Sequence, residues 1–199
     1  LTSVLFITGA GGALGRAVCL QFAQDGVKQI SGLDISKKGL DETASILLQV
    51  FPGVVFHKIV ADLTREEEVQ RAIQETVLKF GRIDYAVNNA GIGQPLKPTS
   101  ETNLADFDKV MAVNVKGLFL CEKYELLQME KQEPRNLANS SSCVTSSPSG
   151  RSSLTIRECN TRPESKGAIV NVSSILGFLS MANLSLYNAS KHGKLEFRA

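Results

Sequence analysis

The chain has little of what metal or disulfide chemistry needs: two histidines, four cysteines and no tryptophan in 199 residues. Cys19, Cys121, Cys143 and Cys159 form no C-x-x-C pair, and neither His57 nor His192 lies near one of them. That spacing excludes zinc-ribbon and thioredoxin-like sites; it reads as free thiols of a reducing compartment, hence a cytoplasmic setting. No apolar run approaches the roughly 18 residues of a membrane span. An excess of one charge is also missing, since 22 Lys and Arg against 20 Asp and Glu leave +2. Nothing electrostatic therefore points to nucleic acid or an acidic membrane as partner. The first residue is Leu1 rather than Met, so the true N-terminus, with any targeting segment, is expected upstream.

What is present is a 43% hydrophobic content, enough for one core over residues 1–199 without staples. Short apolar runs alternate with helical patterns, the sign of βαβ units on a parallel sheet. Val4 to Ile7, Gln29 to Leu33, Val54 to Val60, Ile83 to Val87 and Ala168 to Val172 read as strands. Helices are expected over about Ala13–Asp25, with Leu14, Val18 and Phe22 inward, and over Lys38–Val50, with Leu40, Ala44, Leu47 and Leu48 inward. Thr64 reads as the N-cap of a third helix, with Glu66, Glu67 and Glu68 in its first turn and Val69, Ile73 and Val77 inward. Leu104–Met111, a long helix from Ala112 towards Glu130 and a last helix near Tyr187 complete a Rossmann-type, three-layer αβα doubly wound sheet. From about 131 to 166 the chain is rich in Ser, Pro, Asn and Arg without periodicity, which predicts a disordered insertion within the domain.

Two constellations carry chemistry. The first strand ends in Thr8-Gly9-Ala10-Gly11-Gly12-Ala13-Leu14-Gly15 directly before a helix. Glycines there bring backbone N–H groups and a helix N-terminus against a pyrophosphate. Asp34, 25 positions after Gly9, ends the second strand, where a carboxylate can bind both hydroxyls of an adenosine ribose and repel a 2′-phosphate. NAD is therefore expected over NADP, while Arg16, Lys37 and Lys38 nearby keep NADP open. The second constellation is Tyr187-x-x-x-Lys191, one helical turn apart on a single face. A lysine ammonium there favours ionisation of the tyrosine, which can then exchange a proton with a substrate oxygen. Alone, such a pair is usually a surface pair.

In their shared order these motifs resemble the short-chain dehydrogenase/reductase family. Thr8-Gly9 to Gly15 is similar to its T-G-x-x-x-G-x-G cofactor turn, Asp62-Leu63 to its adenine-holding acidic residue, and Asn88-Asn89-Ala90-Gly91 to its N-N-A-G. Asn114, Ser174, Tyr187 and Lys191 match its catalytic set, with Ser173 as structural neighbour of Ser174. The resemblance implies hydride transfer between a nicotinamide cofactor and a small-molecule secondary alcohol or ketone. It makes Tyr187 the general acid/base and Ser174 a hydrogen-bond donor to the same oxygen. Lys191 then holds the nicotinamide ribose, and Asn114 holds a water on the proton path. Pro95, Leu96 and Met181 give part of the substrate pocket an apolar lining.

Three features depart from that pattern. Ala13 stands for the middle glycine of the cofactor turn; the insertion adds roughly thirty residues between Asn114 and Ser174; and the chain stops at Ala199, before two further strands of the family. The insertion follows the helix that commonly carries the family's homo-oligomer interface, so that assembly is not carried over. The alternative function is a truncated, non-catalytic relative that binds dinucleotide or partner subunits only.

Overall fold

Each short apolar run becomes a strand: β1 (Val4–Thr8), β2 (Gln29–Asp34), β3 (Val55–Val60), β4 (Tyr85–Asn88) and β5 (Ala168–Asn171). The computed structural model of the protein describes residues 3–135, 164–195 and 197. All neighbouring strands pair in parallel, in the order β3-β2-β1-β4-β5. Helices α1 (Ala13–Gln24), α2 (Lys37–Val50), α3 (Glu66–Phe80), α4 (Leu104–Met111), α5 (Leu118–Met129) and α6 (Ser185–Leu195) fill the connections. The fold is the expected doubly wound αβα sheet. Its strand order reverses beside β1, so the carboxyl ends of β1 and β4 open a crevice.

A parallel strand covered on both faces needs apolar side chains on both, and β1 supplies them. Leu5 and Ile7 pack with Ile30 against Cys19 of α1 and Leu40 and Leu47 of α2. Phe6 points the other way, packing with Leu33 and Ile83 against Val69 and Ile73 of α3 and Leu120 of α5. Full burial of such side chains is worth about 1.5–3 kcal/mol each, which fixes the sheet and hence the crevice.

Four local expectations are corrected. Gly15, Cys19 and Ala23 are the fully inward face of α1; Val18 and Phe22 pack partly buried beside them, and Leu14 is 58% exposed. The cause is a close approach, since a Cβ on Gly15 would lie 2.1 Å from the Gly9 carbonyl oxygen, so only glycine fits there. The Leu48 side chain of α2 is likewise 41% exposed, while Leu40 and Leu47 are fully buried. Thr64 does not cap α3; Arg65 occupies that position, and the Thr64 N–H and hydroxyl both donate to Asp62 Oδ1. The expected long helix contains a widened, π-helical segment, Ala112–Gly117, between α4 and α5.

Most of the expected insertion at about 131–166, with its disorder, lies outside the described residues. Its two ends are described, and they meet: Arg135 and Ser165 exchange both backbone hydrogen bonds at 3.0 Å. The base is tied to the sheet by Gln132, which accepts from the Ile83 N–H and donates to the Ile83 and Lys166 carbonyls. Arg135 also pairs with the buried Asp84, which accepts from the Val4 N–H at 2.8 Å. Among the described residues no helix is long and apolar enough to cross a membrane.

Candidate active site

A cleft of about 510 Å³ lies at the carboxyl ends of β1 and β4, a volume suited to a cofactor or small ligand. Its floor is the turn after β1. Gly9 adopts a left-handed φ of 69°, and a Cβ there would stand 2.8 Å from Asn89 Nδ2. Asn89 Nδ2 donates instead to the carbonyls of Thr8 and Gly9, at 3.1 and 3.3 Å, and the Ala90 N–H donates to Thr8 Oγ1. The two glycine-containing turns, after β1 and after β4, are thus stitched into one surface.

Helix α1 begins here. Its N-cap is Gly12, no side chain caps it, and its first turn carries no acidic residue. The free N–H groups and the positive end of the helix dipole therefore face the cleft, an arrangement that binds phosphate. Ala13, Leu14 and Gly15 line the same wall. At the β2 end of the cleft stands Asp34, its Oδ2 accepting from the Gly11 N–H at 2.9 Å and its Oδ1 from the Ser36 N–H at 2.8 Å. Of the nearby cations, Arg16 is held by Glu42 and Thr43, and Lys37 by Asp41.

The opposite end of the cleft is built by α6. Tyr187 and Lys191 both line it, and Lys191 Nζ lies 5.5 Å from the centre of the Tyr187 ring. Lys191 is 5% exposed and donates to the carbonyls of Val172 and Ser173, at 3.4 and 3.3 Å. Burial holds its ammonium below the usual lysine range, and a hydrogen bond with Lys194 partly restores it. Ser173 donates its hydroxyl to the Lys191 carbonyl, anchoring the helix. The Asn114 side chain, fully buried in the π-helical segment, accepts from the Ile92 N–H and donates to the Ile92 carbonyl and Ser190 Oγ. Gly91 is the meeting point: a Cβ on it would be 3.2 Å from Asn114 Oδ1 and 3.5 Å from Lys191 Nζ.

Not every expected site residue borders the cleft. Ser174 is next to the lining residue Ser173, with its Oγ accepting from the Leu176 N–H in a short cap. Thr8, Gly11 and Ala90 support the floor from behind. Asp62 and Leu63 lie beyond the lining residues; Asp62 is engaged by Thr64, and Leu63 is buried against Gly117. Two residues the sequence reading missed also matter here. Gln94 lines the cleft and accepts from the Tyr187 N–H at 2.7 Å, fixing the start of α6. Lys194, one turn beyond Lys191, is 2% exposed and donates to the Ala90 carbonyl at 3.1 Å. No pattern in the sequence marks either.

The residues fit a dinucleotide. The uncapped helix start, the glycine floor and the Asp34 carboxylate offer what a pyrophosphate and an adenosine ribose require, and α6 brings Tyr187 and Lys191 to the far end. The fold is a doubly wound αβα sheet of the Rossmann type, with its cleft at the switch in strand order. The family model for short chain dehydrogenases matches residues 3–154 and 156–199, and the chain belongs to the short-chain dehydrogenase/reductase family. Levodione reductase of Leifsonia aquatica is 32% identical over 190 residues, 96% of this chain and 59% of that protein. The 3-oxoacyl-[acyl-carrier-protein] reductase FabG of Thermotoga maritima is 37% identical over 190 residues, covering 96% and 63%. Among solved structures, NAD+-bound xylitol dehydrogenase superposes with a TM-score of 0.76 at 29% identity, over 96% of this chain and 60% of that one. ElxO with NADP bound gives a TM-score of 0.72 at 28% identity, over 97% and 64%. The chain therefore spans about three fifths of the length of such relatives.

Proposed function

We propose that the chain forms the cofactor-binding and acid–base portion of an oxidoreductase acting on a secondary alcohol or ketone, with NAD preferred over NADP. The observation that carries this reading is that one cleft is bordered by the uncapped start of α1, by Asp34, and by Tyr187 with Lys191. Asp34 hydrogen-bonds the two ribose hydroxyls, and its charge disfavours a 2′-phosphate. Ala13 adds a methyl group at the phosphate wall. Asp62 and Leu63 flank the adenine ring at the margin of the cleft. The nicotinamide supplies hydride chemistry when bound. Tyr187 gives or takes the proton of the substrate oxygen, and Ser174 turns its hydroxyl from the Leu176 cap to donate to that oxygen. Lys191 stabilises the tyrosinate, and Asn114 holds a water beside it. Residues 1–199 act as a single NAD(P)-binding domain.

The test is a titration of the purified chain with NADH and, in parallel, NADPH, followed by nicotinamide fluorescence against the low background of a protein without tryptophan. Saturable binding is expected, tighter for NADH by about tenfold, which corresponds to about 1.4 kcal/mol. A folded sample that binds neither nucleotide overturns the reading.

A further inference from the structure

A lysine is among the residues least often fully buried, yet α6 buries two of them side by side. Lys191 and Lys194 are 5% and 2% exposed. The two side chains lie one turn apart on α6, and each bears on the other's proton affinity, Lys194 raising that of Lys191 and Lys191 lowering that of Lys194. Around them are carbonyl acceptors: Val172 and Ser173 for Lys191, and Ala90, in the turn after β4, for Lys194. The titratable groups facing Lys194 are Lys191 on its own helix and the buried Cys121 thiol on α5, with Glu125 behind Cys121. Burial raises both the Cys121 thiol and the Glu125 carboxyl above their ordinary values, to about 8 for Glu125. These groups therefore offer no full counter-charge at neutral pH. Two adjacent ammonium ions in that setting repel each other and are poorly solvated.

We infer that Lys191 and Lys194 share a single proton, so that Lys194 serves as a neutral amine that accepts a hydrogen bond from the Lys191 ammonium and positions it beneath Tyr187. Lys194 is a positioning residue, because it touches Lys191 and Ala90 and does not border the cleft. Burial and the neighbouring charge push its ammonium down to about 7. Above that pH the pair presents one charge to the tyrosine; below it a second proton enters, the amine loses its lone pair, and the hydrogen bond to Lys191 is broken. The bearing on chemistry rests on the role of Lys191 proposed above, whereas the shared proton does not.

The experiment uses the chain carrying ¹³C at the lysine ε carbon, without nucleotide, titrated by NMR from pH 5.5 to 10.5. One lysine is expected to titrate with a midpoint near 7, and its signal is absent from K194M. The Lys191 signal, identified by its loss in K191M, titrates at lower pH in K194M than in the parent, because the acceptor for its ammonium has gone. K194Q, which keeps a donor for the Ala90 carbonyl, replaces K194M should the latter not fold. Lysines that all titrate above pH 9, or a Lys191 midpoint unmoved by loss of Lys194, overturn the inference. A chain that shows these titrations yet binds no NADH upholds the shared proton and defeats the oxidoreductase reading; NADH binding with every lysine titrating above pH 9 does the reverse.

Discussion

Single atoms decide the cleft. A β-carbon has no room at Gly15, 2.1 Å from the Gly9 carbonyl, or at Gly9, 2.8 Å from Asn89 Nδ2, and that steric demand is why the turn after β1 was readable as a string of glycines. Tyr187 and Lys191 were readable because one helical turn separates them. Replacing Tyr187 by Phe removes only the hydroxyl. Turnover of an alcohol or ketone is expected to fall by about 10²–10⁴-fold, while NADH affinity, measured by nicotinamide fluorescence, changes less than twofold. Equal loss of both would remove Tyr187 from the chemistry. Lys194 was not readable: lysine ordinarily signals solvent, and here its burial is created by packing of α6 against the turn at Ala90 and by Cys121 of α5.

At the scale of elements, periodicity found β1 to β5 and α1 to α6 yet misjudged the centre of the buried face of α1, where Val18 and Phe22 pack only partly buried and Leu14 is exposed. Leu14, Val18 and Phe22 have the larger side chains, but the small series Gly15, Cys19 and Ala23 allows the closer approach to the sheet. The widening at Ala112–Gly117 was not read from the sequence either: Asn114 and Gly117 are poor helix formers, but it is the tertiary bonds from Asn114 to Ile92 and Ser190 that accompany it, and periodicity does not report them. Helix α5 carries a further consequence. Burial raises the Glu125 carboxyl to about 8, against the downward pull of its hydrogen bond from Asn88 and with a smaller upward push from Glu122. The folded state keeps that proton where the unfolded state, with a carboxyl near 4.5, has lost it. The stabilisation is therefore complete below about pH 4.5 and fades as pH rises through about 8. Glu125→Gln mimics the neutral acid and is expected to flatten the fall of Tm between pH 5 and 8. A Tm profile with the parent's slope would show that Glu125 is already ionised in the folded chain.

On the scale of the whole molecule, the base of the long polar stretch is a closed clasp. Arg135 and Ser165 pair, and Gln132 and Arg135 fasten that pair to β4 and its neighbours. We propose that the described sheet and helices assemble without the residues between. Replacing residues 136–163 by a short Gly-rich link should move Tm by no more than about 2 °C and leave NADH binding unaltered; a collapse of the transition would show that the segment belongs to the core. Composition marks the polar stretch but not its clasp, which depends on side chains meeting across the fold. Position along the chain bears on the order of assembly. Asn88 and Asn171, hydrogen-bonded neighbours on β4 and β5, are 83 positions apart, whereas β1 and β2 pair over a single βαβ unit. The thirty or so extra residues add only about 0.4 kcal/mol to closing the larger loop, but they lengthen synthesis. A chain still emerging from the ribosome at residue 130 already contains every residue of the glycine turn and Asp34. Tyr187 and Lys191 join later, so the floor of the cleft can form before α6 arrives to face it.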